Sequence, residues 1–246
     1  DDLVANTVQH VGKNGITDLF GSNTLPGGHA EYVRVPDADR SLVKIAASGE
    51  ERAVLAGGTA GLGVGVANAA LKTARNGSYA IVGCDPIGMT ALIALEAAGA
   101  RSRTIAVEEH NARRTLAARF ASKTFSTNEC LRNTNVDVVI VGATINATAF
   151  NKIANLVKPD GSLIFSEPYG PVKLMESGIT LPENVLVSCS KWPDATEAKR
   201  VVTSMQIKKL DLTPVVSHVI PLDEAQEAYE AAAGPGPGVQ KVLLKP

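Results

Sequence analysis

Two glycines, Gly83 and Gly88, carry the strongest chemical signal in the chain. They lie between an apolar run and a run that favours helix, and they match the first and third glycines of the pattern G-x-G-x-x-G. In that pattern the first glycine permits a tight turn, and the third permits close packing of the helix on the strand. Backbone N–H groups at the start of such a helix bind phosphate. We therefore predict a phosphate-binding loop formed by Gly83, Pro86, Ile87 and Gly88.

Asp85 stands where the pattern has its middle glycine. That glycine lets the backbone approach a pyrophosphate, and a carboxylate in its place repels the same group. A side chain that turns outward would be tolerated with reduced affinity for the dinucleotide, so Asp85 is predicted to bind the cofactor together with the rest of the loop.

An acidic residue supports a dinucleotide as the ligand. Glu108 ends the next apolar run and follows Gly88 by 20 positions, where an acidic residue accepts hydrogen bonds from the ribose of NAD. Its carboxylate repels the additional phosphate of NADP, although Arg113 and Arg114 follow closely and partly counter this repulsion. The sequence favours NAD and leaves NADP as an alternative.

The elements that must position these residues alternate between strand and helix. Apolar, strand-like runs cover 79–82, 104–107, 136–141 and 162–165, and helical patterns cover 87–98 and 144–157. This alternation predicts the α/β class, with a doubly wound parallel sheet and right-handed crossovers. Cofactors bind at the carboxyl ends of such strands, so Gly142 and Ser166, which each follow a strand, are further candidates. A flavodoxin-like or methyltransferase-like sheet without a dinucleotide is the alternative.

The composition excludes several other classes of protein. The 24 basic and 25 acidic residues give a net charge of -1, which shows no sign of a nucleic-acid partner. The three cysteines form no CxxC pair, which excludes a disulfide framework and indicates a cytoplasmic location. The uncharged segment 53–71 is long enough to span a bilayer. Its glycines and other small side chains predict a buried helix instead, and therefore no membrane partner.

Six segments resemble, in the same order, those of the medium-chain dehydrogenase/reductases, the zinc-type alcohol and polyol dehydrogenases. They are 27–36 (GGHAEYVRVP), 41–45 (SLVKI), 83–88 (GCDPIG), 105–108 (IAVE), 221–225 (PLDEA) and 240–244 (QKVLL). The resemblance extends over nearly the whole chain.

The resemblance implies a Rossmann dinucleotide-binding domain over 51–210. It also implies a partial GroES-like β domain formed from both chain ends, 1–50 and 211–246, with strands at 30–35 and 41–45. The implied reaction is hydride transfer between a nicotinamide and a small-molecule alcohol or carbonyl substrate. Lys241 matches a basic position that contacts the pyrophosphate in the family. Members often pair through the sheet edge, here near 185–188, so a homodimer is expected.

The sequence departs from the family where zinc would bind. The segment that supplies the first zinc ligands has no counterpart, and the structural-zinc lobe is reduced to 11–20 without a cysteine. Thr59 stands at the position of a further cysteine ligand, and threonine is a poor ligand for zinc. We therefore expect no metal, and we predict that a catalytic role falls to Thr59, with Tyr32 as an alternative proton donor.

Three functional hypotheses follow. The first is a zinc-free, NAD(P)-dependent oxidoreductase of the alcohol or polyol dehydrogenase type. The second is a catalytically degenerate relative that keeps the nucleotide fold as a binding or assembly module. The third is a methyltransferase-like enzyme that binds S-adenosylmethionine, and the strand–helix–strand pattern that closes the chain argues against it.

Overall fold

The apolar runs of the chain pair into a parallel sheet. The computed structural model describes residues 28–33, 35, 38–45, 50–127, 129, 134–142, 155–166, 178–207, 209–233, 236 and 238–246. Within this part of the chain, six strands form one sheet in the order β3-β2-β1-β4-β5-β6. Their bounds are Tyr79–Val82 (β1), Thr104–Val107 (β2), Lys123–Phe125 (β3), Val136–Val141 (β4), Val157–Phe165 (β5) and Leu186–Cys189 (β6). All neighbouring strands are parallel, which confirms the predicted α/β class and its Rossmann-like sheet.

The strand order places the glycine turn at the centre of the sheet. The chain runs outward from β1 to β3, then returns to the other side of β1 and continues from β4 to β6. In open α/β sheets, ligands bind outside the carboxyl ends of the strands where the order reverses. Here that position lies between β1 and β4.

Helices alternate with strands along the described chain, and several of them pack on one face of the sheet, where they share a hydrophobic core with Ile81 and Ile140. Their bounds are Ala38–Ser41 (α1), Glu50–Ala53 (α2), Thr59–Thr73 (α3), Pro86–Ala97 (α4), Asn111–Ala117 (α5), Ala195–Gln206 (α6) and Ala225–Ala233 (α7). Short 3-10 segments lie at Val54–Gly57, Arg101–Arg103, Thr213–Val215 and Leu222–Glu224. Gly99 follows α4 with a φ of 77°, a left-handed conformation that glycine adopts readily at a helix end.

Glycines allow α3 to lie close to α4. A Cβ atom on Gly63 would lie 2.5 Å from Cβ of Thr90, which is too short for two carbon atoms. Gly63 thus serves the packing of α3 on α4, and much of α3 is buried, as predicted for the segment 53–71. No helix among the described residues is long and apolar enough to cross a membrane.

A second, two-stranded sheet follows near the chain end. Strands Val216–Pro221 (β7) and Lys241–Lys245 (β8) are parallel, with α7 between them in sequence. They lie in the segment that the resemblance assigns to a GroES-like domain. The segment 1–27, expected to contribute to the same domain, lies outside the described residues.

Several sequence predictions were wrong in detail. Residues 30–32 form bends, and residues 33 and 42–45 have no regular structure, although strands were predicted over both segments. Val157 begins β5 and does not end a helix, because its strand pairs with β4 through a register irregularity near Val136. The helix predicted over 144–157 otherwise falls outside the described residues up to residue 154.

Candidate cofactor site at the turn between β1 and α4

Three glycines meet at the end of β1. Gly83 has a φ of 84°, and its N–H donates to the carbonyl oxygen of Val107 at 2.9 Å. A Cβ atom on Gly88 would overlap the Gly83 carbonyl oxygen, and one on Gly142 would lie 2.6 Å from the same oxygen. The turn, the start of α4 and the end of β4 are therefore packed too closely for any other residue type. This contact accounts for the two glycines of the sequence pattern and adds Gly142 to them.

Asp85 is the N-cap of α4, and its side chain turns inward. Its Oδ1 atom accepts a hydrogen bond from the Gly88 N–H at 2.8 Å. The outward orientation that would accommodate a dinucleotide is not adopted, because an aspartate at this position satisfies a helix N–H group and lies favourably at the positive end of the helix dipole. Pro86 has no N–H. Asp85 thus places a carboxylate on the helix end where a phosphate was predicted to bind.

Glu108, directly after β2, stabilises the turn through hydrogen bonds to backbone N–H groups. Its two carboxylate oxygens accept hydrogen bonds from the N–H groups of Cys84 at 2.6 Å and His110 at 2.8 Å. Only 4% of the residue is exposed. A carboxylate has about four lone-pair positions, so these two bonds leave acceptor capacity for a ribose hydroxyl. The structure places Glu108 beside the turn, and its role toward a ribose stays a prediction.

Cys84 is a buried residue between two carboxylates. Burial raises the pKa of its thiol well above the usual value, and the charges of Glu108 and Asp85 raise it further. The thiol is therefore protonated at neutral pH, which makes it a packing group and a poor nucleophile.

The segment before β8 contacts the turn from the other side. Gln240 is 7% exposed, and its Nε2 atom donates to the Cys84 carbonyl oxygen at 3.0 Å. Arg113, near the start of α5, donates from Nη2 to the carbonyl oxygen of Val239 at 3.0 Å. Lys241 follows as an exposed residue, and its predicted contact with a pyrophosphate stays a prediction.

Sequence reasoning did not identify Gln240. The contact joins residues 84 and 240 and leaves no local pattern, because glutamine next to a strand is common on protein surfaces. The one available signal was the position of Gln240 directly before Lys241.

Gly142 and Ser166 meet at the carboxyl ends of β4 and β5. The Ser166 hydroxyl donates to the Gly142 carbonyl oxygen at 2.9 Å, and Ser166 is 2% exposed. The sequence correctly predicted that both residues follow strands at this edge of the sheet. The hydroxyl of Ser166 joins the two strand ends, and a direct contact of either residue with a cofactor stays a prediction.

Thr59 is the first residue of α3 and is partly exposed. Gly63, one helical turn later, lies against the start of α4, where an added Cβ atom would be 2.7 Å from the Ile87 carbonyl oxygen. Thr59 therefore lies about 6 Å along the helix axis from that contact. Tyr32, the alternative proton donor, is 91% exposed and contributes to no enclosed site among the described residues.

The described residues do not form a zinc site. In that part of the chain, no three histidine, cysteine, aspartate or glutamate side chains cluster as metal ligands would. Thr59 adds a hydroxyl, which does not replace a thiolate or an imidazole. We therefore derive no catalytic step through a metal.

Known proteins resemble this chain in sequence over most of its length, although no family model matches it. An alcohol dehydrogenase of Cupriavidus necator is 25% identical over 252 residues, which cover 92% of this chain and 65% of that protein. An uncharacterised zinc-type alcohol dehydrogenase-like protein of Bacillus subtilis is 28% identical over 257 residues, covering 90% and 67%. This chain resembles the zinc-type alcohol dehydrogenases. It spans 65% of the length of the Cupriavidus protein.

Solved structures show the same fold. The alcohol dehydrogenase from Thermus sp. ATN1 has a TM-score of 0.69 and 21% identity, with 89% of this chain and 65% of that chain covered. An Escherichia coli short chain alcohol dehydrogenase complexed with NADH has a TM-score of 0.66 and 15% identity, covering 82% and 62%. S. aureus TarJ in complex with NADPH has a TM-score of 0.58 and 15% identity, covering 76% and 61%. The alcohol dehydrogenase resemblance thus extends from sequence to fold.

Proposed function

We propose that this chain forms the nucleotide-binding part of an NAD-dependent oxidoreductase of the alcohol or polyol dehydrogenase type. The observation that carries the proposal is the contact of Gly83, Gly88 and Gly142 at the switch point of the sheet. Such close packing holds the start of α4 at the end of β1, where backbone N–H groups of a helix N-terminus can bind phosphate. The alcohol dehydrogenase relatives support the same function.

Glu108 favours NAD over NADP in this proposal. The carboxylate lies at the loop, within hydrogen-bond distance of the Cys84 N–H. A ribose hydroxyl can donate to it, whereas the additional phosphate of NADP would bring a second negative charge to a mostly buried carboxylate.

NADH, when bound, would supply the hydride for the carbonyl carbon of a substrate. The chain itself would hold the pyrophosphate on the turn, through the N–H groups of Asp85 and Ile87, and orient the ribose at Glu108. A proton must also reach the substrate oxygen, and we assign this role to the Thr59 hydroxyl at the start of α3. Homodimer formation and a cytoplasmic location belong to the same proposal.

Titration with NADH and NADPH, followed by nicotinamide fluorescence with zinc measured in the same sample, tests this function. We expect saturable NADH binding by the wild-type chain and its loss in Gly88→Ala, because the added Cβ atom would overlap the Gly83 carbonyl oxygen. Gly65→Ala is the matched control, since its Cβ atom would lie 3.3 Å from the Ser190 hydroxyl, away from the turn. Equal binding by the two variants would contradict the proposed site.

A second candidate function, a nucleotide-fold module without catalysis, is favoured by one specific observation. Asp85 already caps α4 with its own carboxylate at 2.8 Å from the Gly88 nitrogen, where the pyrophosphate should lie. The same titration tests the assembly form of this alternative, because a module whose site is closed by Asp85 would bind neither NADH nor NADPH. A degenerate module that still binds NADH would differ from the oxidoreductase in having no turnover of an alcohol or carbonyl substrate.

A further inference from the structure

The Gln240 side chain has a fixed orientation. Its Nε2 atom donates to the Cys84 carbonyl oxygen at 3.0 Å, and the amide oxygen cannot take that place because two acceptors would face each other. The Oε1 atom therefore lies on the other side of the amide. It is enclosed and has no hydrogen-bond partner among the described residues. Buried polar atoms are nearly always paired, so this oxygen lacks a donor.

Gln240 and Glu108 lie on either side of one loop residue. The Cys84 N–H donates to Glu108 Oε2 at 2.6 Å, and the Cys84 carbonyl oxygen accepts from Gln240. Glu108 is the residue proposed to accept hydrogen bonds from the adenosine ribose. The unpaired amide oxygen thus belongs to a side chain that is bonded to the same loop residue as Glu108.

Arg113 contributes an unpaired donor to the same neighbourhood. Its Nη2 atom donates to the carbonyl oxygen of Val239, the residue before Gln240, at 3.0 Å. Its Nε atom is buried and has no partner within the described part of the chain. A hydroxyl group donates one hydrogen bond and accepts others, so it can satisfy an unpaired acceptor and an unpaired donor together. An ionised phosphate only accepts, and it would leave the amide oxygen unpaired.

We propose that Gln240 is a specificity-determining residue that selects NAD(H) over NADP(H), because its Oε1 atom accepts a hydrogen bond from the adenosine ribose hydroxyl. The proposal rests on the proposed dehydrogenase function and deepens it. Since Oε1 is enclosed, the hydroxyl reaches it only after neighbouring side chains shift. We expect Arg113 to be the side chain that shifts, because it is partly exposed and is bonded to Val239, next to Gln240.

Two variants test the selectivity. Gln240→Met removes both polar atoms, and Gln240→Lys keeps an N–H donor for Cys84 but has no acceptor. We expect Gln240→Met to weaken NADH binding about tenfold with little change for NADPH, which is the effect of one lost hydrogen bond to a ligand. Gln240→Lys should lower the NADH-to-NADPH affinity ratio further, because its ammonium group attracts the additional phosphate. Gln206→Met, on the exposed end of α6, is the matched control.

The dissociation constants of NADH and NADPH are measured for all four proteins, together with their melting temperatures. The NADH-to-NADPH affinity ratio of a Gln240 variant is interpreted when its melting temperature is near that of the wild type, and one such variant is sufficient. An unchanged ratio, or an equal loss of both cofactors in both variants, overturns the role of Gln240 while the proposed function stands. A wild-type chain that binds neither cofactor overturns the proposed function and the selectivity together.

Discussion

Asp85 is the residue at which the two proposed functions diverge. Its carboxylate stabilises α4 as an N-cap, but it brings negative charge to the helix end that a pyrophosphate needs. The same side chain therefore favours folding and opposes the binding of an anion. If the chain is a dehydrogenase, the hydrogen bond between Asp85 and the Gly88 N–H either breaks when NADH binds or remains beside the pyrophosphate. In both cases the affinity for NADH is lowered.

Removing the charge of Asp85 should tighten NADH binding. Asp85→Asn keeps the capping acceptor and removes the charge, so we expect an increase in affinity of about fivefold to tenfold, equivalent to about 1–1.4 kcal/mol. The measurement is the dissociation constant by fluorescence titration at low ionic strength, with adenosine as a ligand that has no phosphate. Adenosine binding should not change.

Asp194→Asn is the control for this substitution, since Asp194 also caps a helix, α6, with its carboxylate 2.8 Å from the Glu197 nitrogen. It should leave NADH affinity unaltered. If Asp85→Asn and Asp194→Asn behave alike, the Asp85 carboxylate is not close to the bound pyrophosphate.

At the scale of elements, a carboxylate on β4 joins three strands of the sheet. Asp137 Oδ2 accepts from the Ser78 N–H and hydroxyl, both at 2.7 Å, just before β1. Its Oδ1 atom accepts from Lys158 Nζ of β5 at 2.9 Å. The Ser78 backbone bond and Lys158 hold the pKa of Asp137 at about 2, although partial burial opposes the shift.

This pKa gives stability that depends on pH. Since the folded-state pKa lies below the unfolded value of about 3.9, the stabilisation is present above pH 4 and is lost as the pH falls toward 2. Asp137→Asn should lower the free energy of unfolding at pH 7 by about 1 kcal/mol, a figure reduced because the Asp137 side chain is 36% exposed. It should also flatten the decline between pH 4 and pH 2 in urea unfolding curves.

Asp160→Asn provides the comparison, because Asp160 is an exposed aspartate of the same strand, β5, and asparagine tolerates its φ of 58°. Its stability should follow the wild-type pH dependence. The same acid decline in Asp137→Asn as in the wild type would mean that other carboxylates cause it.

The elements also show which features the sequence determines locally. The strands at 79–82, 104–107 and 136–141 were predicted at their observed bounds, because a strand buried on both faces is a continuous apolar run. The strand predicted from the alternating segment 30–33 is not observed, because a strand also needs a pairing partner and alternation alone does not supply one. The site divides in the same way. The glycine turn and the capping bond of Asp85 follow from local spacing, whereas the contact of Gln240 with residue 84 depends on packing.

At the scale of the whole molecule, the edge of the large sheet bears on assembly. Among the described residues, β6 is an edge strand that pairs only with β5. Leu186 on this strand is 60% exposed, and an apolar residue on an open edge favours pairing with another chain. The expected homodimer would extend the sheet across two copies of β6 and remove this edge from water.

Leu186→Lys should therefore shift the chain from dimer to monomer, because it places a charge where two copies would meet. Sedimentation velocity at several concentrations measures the shift, and NADH titration of the same samples shows whether the turn between β1 and α4 is affected. We expect the dissociation constant of the dimer to rise at least about tenfold, and NADH affinity to change little. Ile207→Lys, at a residue 56% exposed beyond the end of α6, should leave the dimer intact. A dimer that persists in Leu186→Lys would place the interface elsewhere on the chain. A wild-type chain that is monomeric at all concentrations would mean that the chain does not form a homodimer.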